Sequence, residues 1–70
     1  MALKERQIIY EMISNGEYQE ALNFCEKEIA SLEKHLKNEM PDRVRAFIFE
    51  ELLYTLERKK HIEIFLEKIG

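Results

Sequence analysis

The chain has 70 residues, of which 36% are charged and 46% hydrophobic, and its formal net charge is −3. This length allows one domain at most, spanning residues 1–70, and such a small domain buries only about 60% of its unfolded surface. Cys25 is the only cysteine, which excludes an internal disulfide, and no apolar run approaches the roughly 20 residues of a membrane span. We therefore expect oligomerisation or partner binding as the additional stabiliser. A lone cysteine without a signal-peptide pattern predicts a reducing, cytoplasmic location.

The composition predicts an all-α fold, because helix-favouring residues dominate and only two glycines and one proline interrupt them. The first predicted helix covers residues 2–14. Its apolar face consists of Leu3, Ile8, Ile9, Met12 and Ile13. Ser14, Asn15 and Gly16 then predict a stop, since Asn and Gly tolerate the left-handed backbone that closes a helix.

The second predicted helix, residues 17–40, has the clearest pattern. Its apolar positions recur in steps of four and three, the period of a helix that keeps one stripe on its neighbours; they are Tyr18, Leu22, Cys25, Ile29, Leu32 and Leu36, and we call them the apolar seam. Glu and Lys residues, Glu28 among them, are expected to form the polar remainder. Pro41 predicts the end, because the residue before a proline avoids the α region.

The third predicted helix covers residues 42–69, with Gly70 as its natural end. Asp42 is a candidate N-cap, and the alternative is that Pro41 is the first helical residue. The main apolar positions are Val44, Ile48, Leu52, Ile62, Leu66 and Ile69. The polar stretch 57–61 contains no breaker, so one helix is expected, with a break into two helices as the alternative. Short turns predict an antiparallel three-helix bundle.

Helix lengths predict an association surface at the tip of the second and third helices. At 1.5 Å per residue, the first helix is too short to cover the end of the second. Three consecutive large apolar residues also cannot face one neighbour, since a helix turns by about 100° per residue. The predicted surface consists of Leu36, Met40, Val44, Phe47, Ile48 and Phe49, and it would hold a homodimer or a partner helix. A bend in the third helix that buries these residues is the alternative.

The residues from Gly16 to Leu22 resemble the turn of a tetratricopeptide helical hairpin. The resemblance implies that Gly16 closes the first helix, Tyr18 packs back on it and Ala21 lets the helices approach closely. The chain departs from that pattern at Ile9 and Glu28, where small residues are usual. The same turn is similar to that of microtubule-interacting-and-trafficking domains, whose three-helix layout fits the whole chain. That resemblance implies protein binding in a groove between helices.

No residue pattern predicts catalysis, a cofactor or a metal ion. The pairs His35 with Glu39 and Glu57 with His61 have ligand spacing, but a zinc site needs three or four ligands. Cys25 lies in the apolar seam, where a buried, inert thiol is expected. No Gly-rich phosphate loop is present. The sequence therefore predicts that the protein is not an enzyme.

Two functions remain. The first is a small helical protein-interaction module, acting as an adaptor, regulator or inhibitor and forming homodimers. The second is a dimeric nucleic-acid-associated regulator that uses basic residues of the third helix, namely Arg43, Arg45, Arg58, Lys59 and Lys60. Interspersed glutamates and the acidic net charge weaken the second hypothesis, and no membrane partner is expected.

Overall fold

A computed structural model describes residues 2–69, which form three helices: α1 (Ala2–Ser14), α2 (Tyr18–Leu36) and α3 (Asp42–Ile69). Over these residues the chain contains no strand, so the predicted all-helical class is confirmed. α3 runs through residues 57–61 without a break, and the alternative of two helices is wrong. Gly70 lies outside the described residues. None of the three described helices has the length and hydropathy needed to cross a membrane.

The turn between α1 and α2 has the predicted cause. Gly16 adopts a φ of 78°, a left-handed conformation that costs other residues energy. Its N–H donates to Ile13 O, and Glu17 N–H donates to Met12 O over 2.8 Å. This hydrogen-bond pair is the Schellman arrangement, which uses carbonyl groups that the end of a helix leaves free. Gly16 is therefore required for its backbone and not for lack of space, since a Cβ there would meet nothing within 4 Å.

The end of α2 differs from the prediction: the helix stops at Leu36 and not near Met40. Arg45 explains the early stop, because its guanidinium donates to Leu36 O over 2.8 Å and to Asn38 O over 3.1 Å. These bonds satisfy carbonyls that a continuing helix would have bonded internally. The sequence reasoning placed the stop at Pro41 because it considered only local breakers.

α3 begins at Asp42 as predicted, but its cap matches neither predicted alternative. Pro41 O accepts hydrogen bonds from Val44 N–H and Arg45 N–H, which makes Pro41 the capping residue and Asp42 the first residue of the helix. The Asp42 carboxylate still lies in the first turn, where the helix dipole favours negative charge.

α2 and α3 pack closely through two apolar clusters. The first cluster contains Ile9, Ala21, Cys25 and Ile62, and so draws on all three helices. The second contains Ile29, Leu32 and Leu52, with Leu36 and Ile48 packed against it, and draws on α2 and α3 alone. The apolar seam of α2 thus faces inward as predicted. No described α1 side chain belongs to the second cluster, although Glu5 and Arg6 of α1 line one space together with Leu32. The Tyr18 ring stacks on Phe65 at 5.8 Å, which joins the start of α2 to the end of α3.

Candidate interaction surface on α3

Large apolar side chains remain exposed mainly on α3, within the part of the chain that the structure describes. Four of them lie within about 80° of arc on one face, because their spacing approaches whole helical turns; they are Phe49, Leu53, Leu56 and Ile64, and we call them the outer stripe. Each is between 41% and 52% exposed. The buried positions Leu52, Thr55 and Ile62 lie about 80° to 160° from the middle of this arc, on the face toward α2. The outer stripe is therefore an apolar surface that α1 and α2 leave open.

The predicted tip surface is divided by the structure. Leu36 and Ile48 pack against the second apolar cluster, and Met40 is half-buried. Val44 and Phe47 are exposed, but on a side of α3 different from that of Phe49. Because Phe47 and Phe49 are two residues apart, their directions differ by about 160°. The exposure predicted for at least one of residues 47–49 is confirmed, whereas the six residues do not form one continuous patch.

Three members of the outer stripe were missed from the sequence, namely Leu53, Leu56 and Ile64. A signal was present, since residues 49, 53 and 56 follow each other in steps of four and three. The run of large apolar residues at 47–49 is the more conspicuous signal, and the apolar residues after it do not stand out as a second stripe.

The five basic residues proposed for nucleic acid do not share a face of α3. Successive residues of a helix point about 100° apart, so Arg58, Lys59 and Lys60 point in three directions. Arg43 and Arg45 are separated by about 200° for the same reason. A basic stripe on one face is the usual electrostatic footprint of nucleic-acid binding, and these residues do not form one.

Three of these basic side chains make contacts inside the chain. Arg45 holds the end of α2. The Arg58 guanidinium lies 5.2 Å from the centre of the Tyr54 ring, and Lys59 Nζ lies 3.8 Å from Glu26 Oε2. The Arg45 and Lys59 contacts join α3 to α2 and its end, whereas Arg58 and Tyr54 both lie on α3.

A polar cluster joins α1 to α3. Arg6 Nη2 donates to Glu51 Oε1 over 2.9 Å, and the Arg6 guanidinium lies 4.0 Å from the centre of the Tyr54 ring. Burial raises the pKa of Glu28, and the nearby Glu5 carboxylate raises it further. The sequence suggested that Glu28 lies on the solvated face of α2, and the structure shows that it does not. It is half-buried and lines the space between the helices.

The space that the polar cluster encloses is small. A carboxyl group with a raised pKa in a cleft is one sign of catalysis. The space lined by Glu5, Glu28 and Glu51, however, has a volume of only about 10 Å³, which is about the size of one water molecule. The shallow groove between α1 and α3, lined by Ile9, Tyr10, Ile13, Tyr54 and Arg58, measures about 180 Å³. Both are smaller than the roughly 300–1,000 Å³ of typical small-molecule sites.

The remaining candidate residues do not converge on one site; Glu57 and His61 lie one turn apart on α3, without a third ligand among the described residues. Cys25 is fully buried in the first apolar cluster, and burial, with a smaller contribution from Glu28, raises the pKa of its thiol to about 11. His35 is near the end of α2 while Glu39 lies beyond it, so these two residues do not share one helical turn. Among the described residues, no three His, Cys, Asp or Glu side chains converge as metal ligands would.

The turn residues that prompted the family resemblances have the local roles expected of them. Gly16 closes α1, Tyr18 packs on the first apolar cluster together with Met12, and Ala21 is fully buried between helices. Comparison with protein-family models, curated proteins and solved structures finds no match for this chain. The resemblances therefore stay predictions, and the functional conclusion depends on the chain's own geometry.

Proposed function

We propose that this protein is a small helical interaction module, an adaptor, regulator or inhibitor, that binds another protein chain by packing a helix on the outer stripe of α3. The observation that carries the proposal is the outer stripe itself. Fully burying one large apolar side chain is worth roughly 1.5–3 kcal/mol, and Phe49, Leu53 and Leu56 each keep close to half of their surface exposed. Apolar surface arranged in one exposed stripe is typical of a protein-binding site.

The same surface fits self-association. In this proposal the three helices form an antiparallel bundle, and bundles of two copies pair through α3. The first apolar cluster and the second together bury few large residues, and a domain of 70 residues gains stability from such pairing. The proposed location is the cytoplasm, where Cys25 would stay reduced.

A photo-crosslinking amino acid tests the proposal directly. Placed at Leu53 in the protein at its natural cellular level, it should form a covalent adduct with a protein chain, because the outer stripe is then covered. The matched control is the same amino acid at Tyr10, which is 72% exposed on α1 and not part of the outer stripe. No adduct from position 53, or equal adducts from both positions, would refute a binding role for this surface.

A further inference from the structure

We infer that the occupant of the outer stripe is a second copy of this chain, whose α3 lies antiparallel to the first with Phe49 facing Leu53 of the second copy. This inference rests on the proposed function and adds the partner and the register. Phe49 and Leu53 are half-exposed neighbours on one face of α3, so a two-fold axis level with residue 51 pairs each with the other. The chain offers the same surface to its copy, as a symmetric dimer requires.

The residues farther along the same face extend the register as far as Lys60; Ile64 lies opposite position 38, which precedes α3. Ala46 and Leu56 lie five residues to either side of position 51, so they face each other across the axis. Asp42 and Lys60 lie nine residues to either side, within the same arc of α3 as the outer stripe. The facing pairs near the axis are then apolar, and the facing pair at each end joins a negative residue to a positive one. Asp42 and Lys60 are exposed, and neither forms an ion pair with another described residue.

Charge complementarity favours the antiparallel orientation over the parallel one. In a parallel pair each residue of the stripe faces its own copy. Asp42 would then face Asp42 and Lys60 would face Lys60, and like charges disfavour association. The antiparallel pair replaces these contacts by two Asp42–Lys60 pairs. Its unfavourable contacts lie on the two flanks of the stripe, where Glu50 approaches Glu50 of the second copy and Arg45 approaches Lys59 of the second copy.

The exposed area predicts a weak, reversible dimer. The three half-exposed side chains near the axis, with the methylene groups of their charged neighbours, supply on the order of a few hundred Å² per copy. A standard stable interface buries about 800 Å² per partner. We therefore expect a dissociation constant in roughly the micromolar range or weaker.

Two single-charge variants separate the orientations by the sign of their effects. Lys60→Gln should weaken the antiparallel dimer by roughly three- to tenfold, because it removes two surface ion pairs. Glu50→Gln should tighten it by a few-fold. In a parallel dimer both signs reverse, since Lys60 would face itself and Glu50 would approach Arg45 of the second copy.

Sedimentation equilibrium of the full chain measures these dissociation constants. Lys27→Gln and Glu20→Gln are the matched controls, because they change the net charge equally at exposed positions of α2, and they should leave the dimer unchanged. Weakening by Lys60→Gln with tightening by Glu50→Gln supports the inference. If the two variants change the dissociation constant in the opposite directions, the antiparallel register is wrong. If the chain stays monomeric up to millimolar concentration, the outer stripe does not bind a second copy.

Disulfide trapping provides an independent measurement. Differently tagged chains with Asp42→Cys and with Lys60→Cys should form a mixed disulfide when oxidised together, and neither variant alone should form a homodimeric disulfide efficiently. Preferential Asp42→Cys homodimers would overturn the antiparallel register. If the Leu53 photo-crosslinker captures a different protein while the chain stays monomeric, the proposed function stands and this inference fails.

Discussion

Leu52 and Leu53 are adjacent residues of the same type whose replacement by alanine should have very different effects. Leu52 is 8% exposed and belongs to the second apolar cluster, whereas Leu53 is 52% exposed on the outer stripe. Leu-to-Ala changes in a core cost roughly 2–5 kcal/mol. Because the second cluster is small and involves only two helices, we expect about 2–3 kcal/mol for Leu52→Ala. The half-exposed Leu53 should cost less than about 1 kcal/mol in the isolated chain.

Urea unfolding followed by circular dichroism at low protein concentration measures both costs. A small domain loses about 1 kcal/mol of unfolding free energy per molar urea, so the two midpoints should differ by about 2 M. The whole domain is expected to have roughly 4–10 kcal/mol of stability, which leaves Leu52→Ala folded enough to measure. Equal costs for the two variants would refute the orientation of α3 on which the outer stripe depends.

The same two variants connect stability to association. A partner that binds only the folded state raises the apparent stability of the protein, and the effect grows with the concentration of the partner. The unfolding free energy of the native chain and of Leu52→Ala should therefore rise with protein concentration, while that of Leu53→Ala should rise much less. A concentration dependence that Leu53→Ala leaves unchanged would contradict pairing through the outer stripe.

Three further predictions concern the turn and two buried groups. Gly16→Ala should cost roughly 1–2 kcal/mol in urea unfolding, because L-residues are strained at positive φ; D-alanine at the same position should cost nothing. Glu28→Gln should stabilise the protein at neutral pH. The pKa of Glu28 is raised in the folded chain, so the protonated carboxyl favours folding below the ordinary pKa of 4.5, and this contribution is lost as pH rises through the native pKa. Unfolding measured from pH 3 to 8 should show the benefit vanishing in acid, and a constant benefit would contradict this. Cys25, whose pKa is raised to about 11, should resist alkylation by iodoacetamide at pH 8 until urea unfolds the chain; rapid labelling of the folded protein would exclude its burial.

The helix bounds that could be predicted are those with a local cause. Gly16 ends α1 through its own backbone conformation, and Pro41 marks the connection before α3 through the missing N–H of its ring. The end of α2 could not be found this way, because the group that satisfies its last carbonyls is the side chain of Arg45, nine residues farther along the chain. A contact between two elements becomes visible only after both have been placed.

The surroundings of charged residues were the least predictable feature. Glu28 has the spacing of a solvated position on α2, yet the packing of α1 brings Glu5 and burial to it. Arg45, Arg58 and Lys59 suggested a basic surface, yet each is directed to a partner within the chain. Sequence position fixes which side of a helix such a residue occupies, but not whether another helix lies there.

The different clarity of α2 and α3 in the sequence has a physical explanation that also supports the proposed surface. α2 has one apolar face, the apolar seam, so its period was plain. α3 has one apolar face toward α2 and the outer stripe, whose middle lies about 80° to 160° from the residues of that face, and two superposed stripes of the same period blur each other. A helix needs only one apolar face to pack in its own small domain. The second apolar face of α3 exceeds what the packing of α3 on α2 uses, and this excess supports the proposal that Phe49, Leu53 and Leu56 bind another chain.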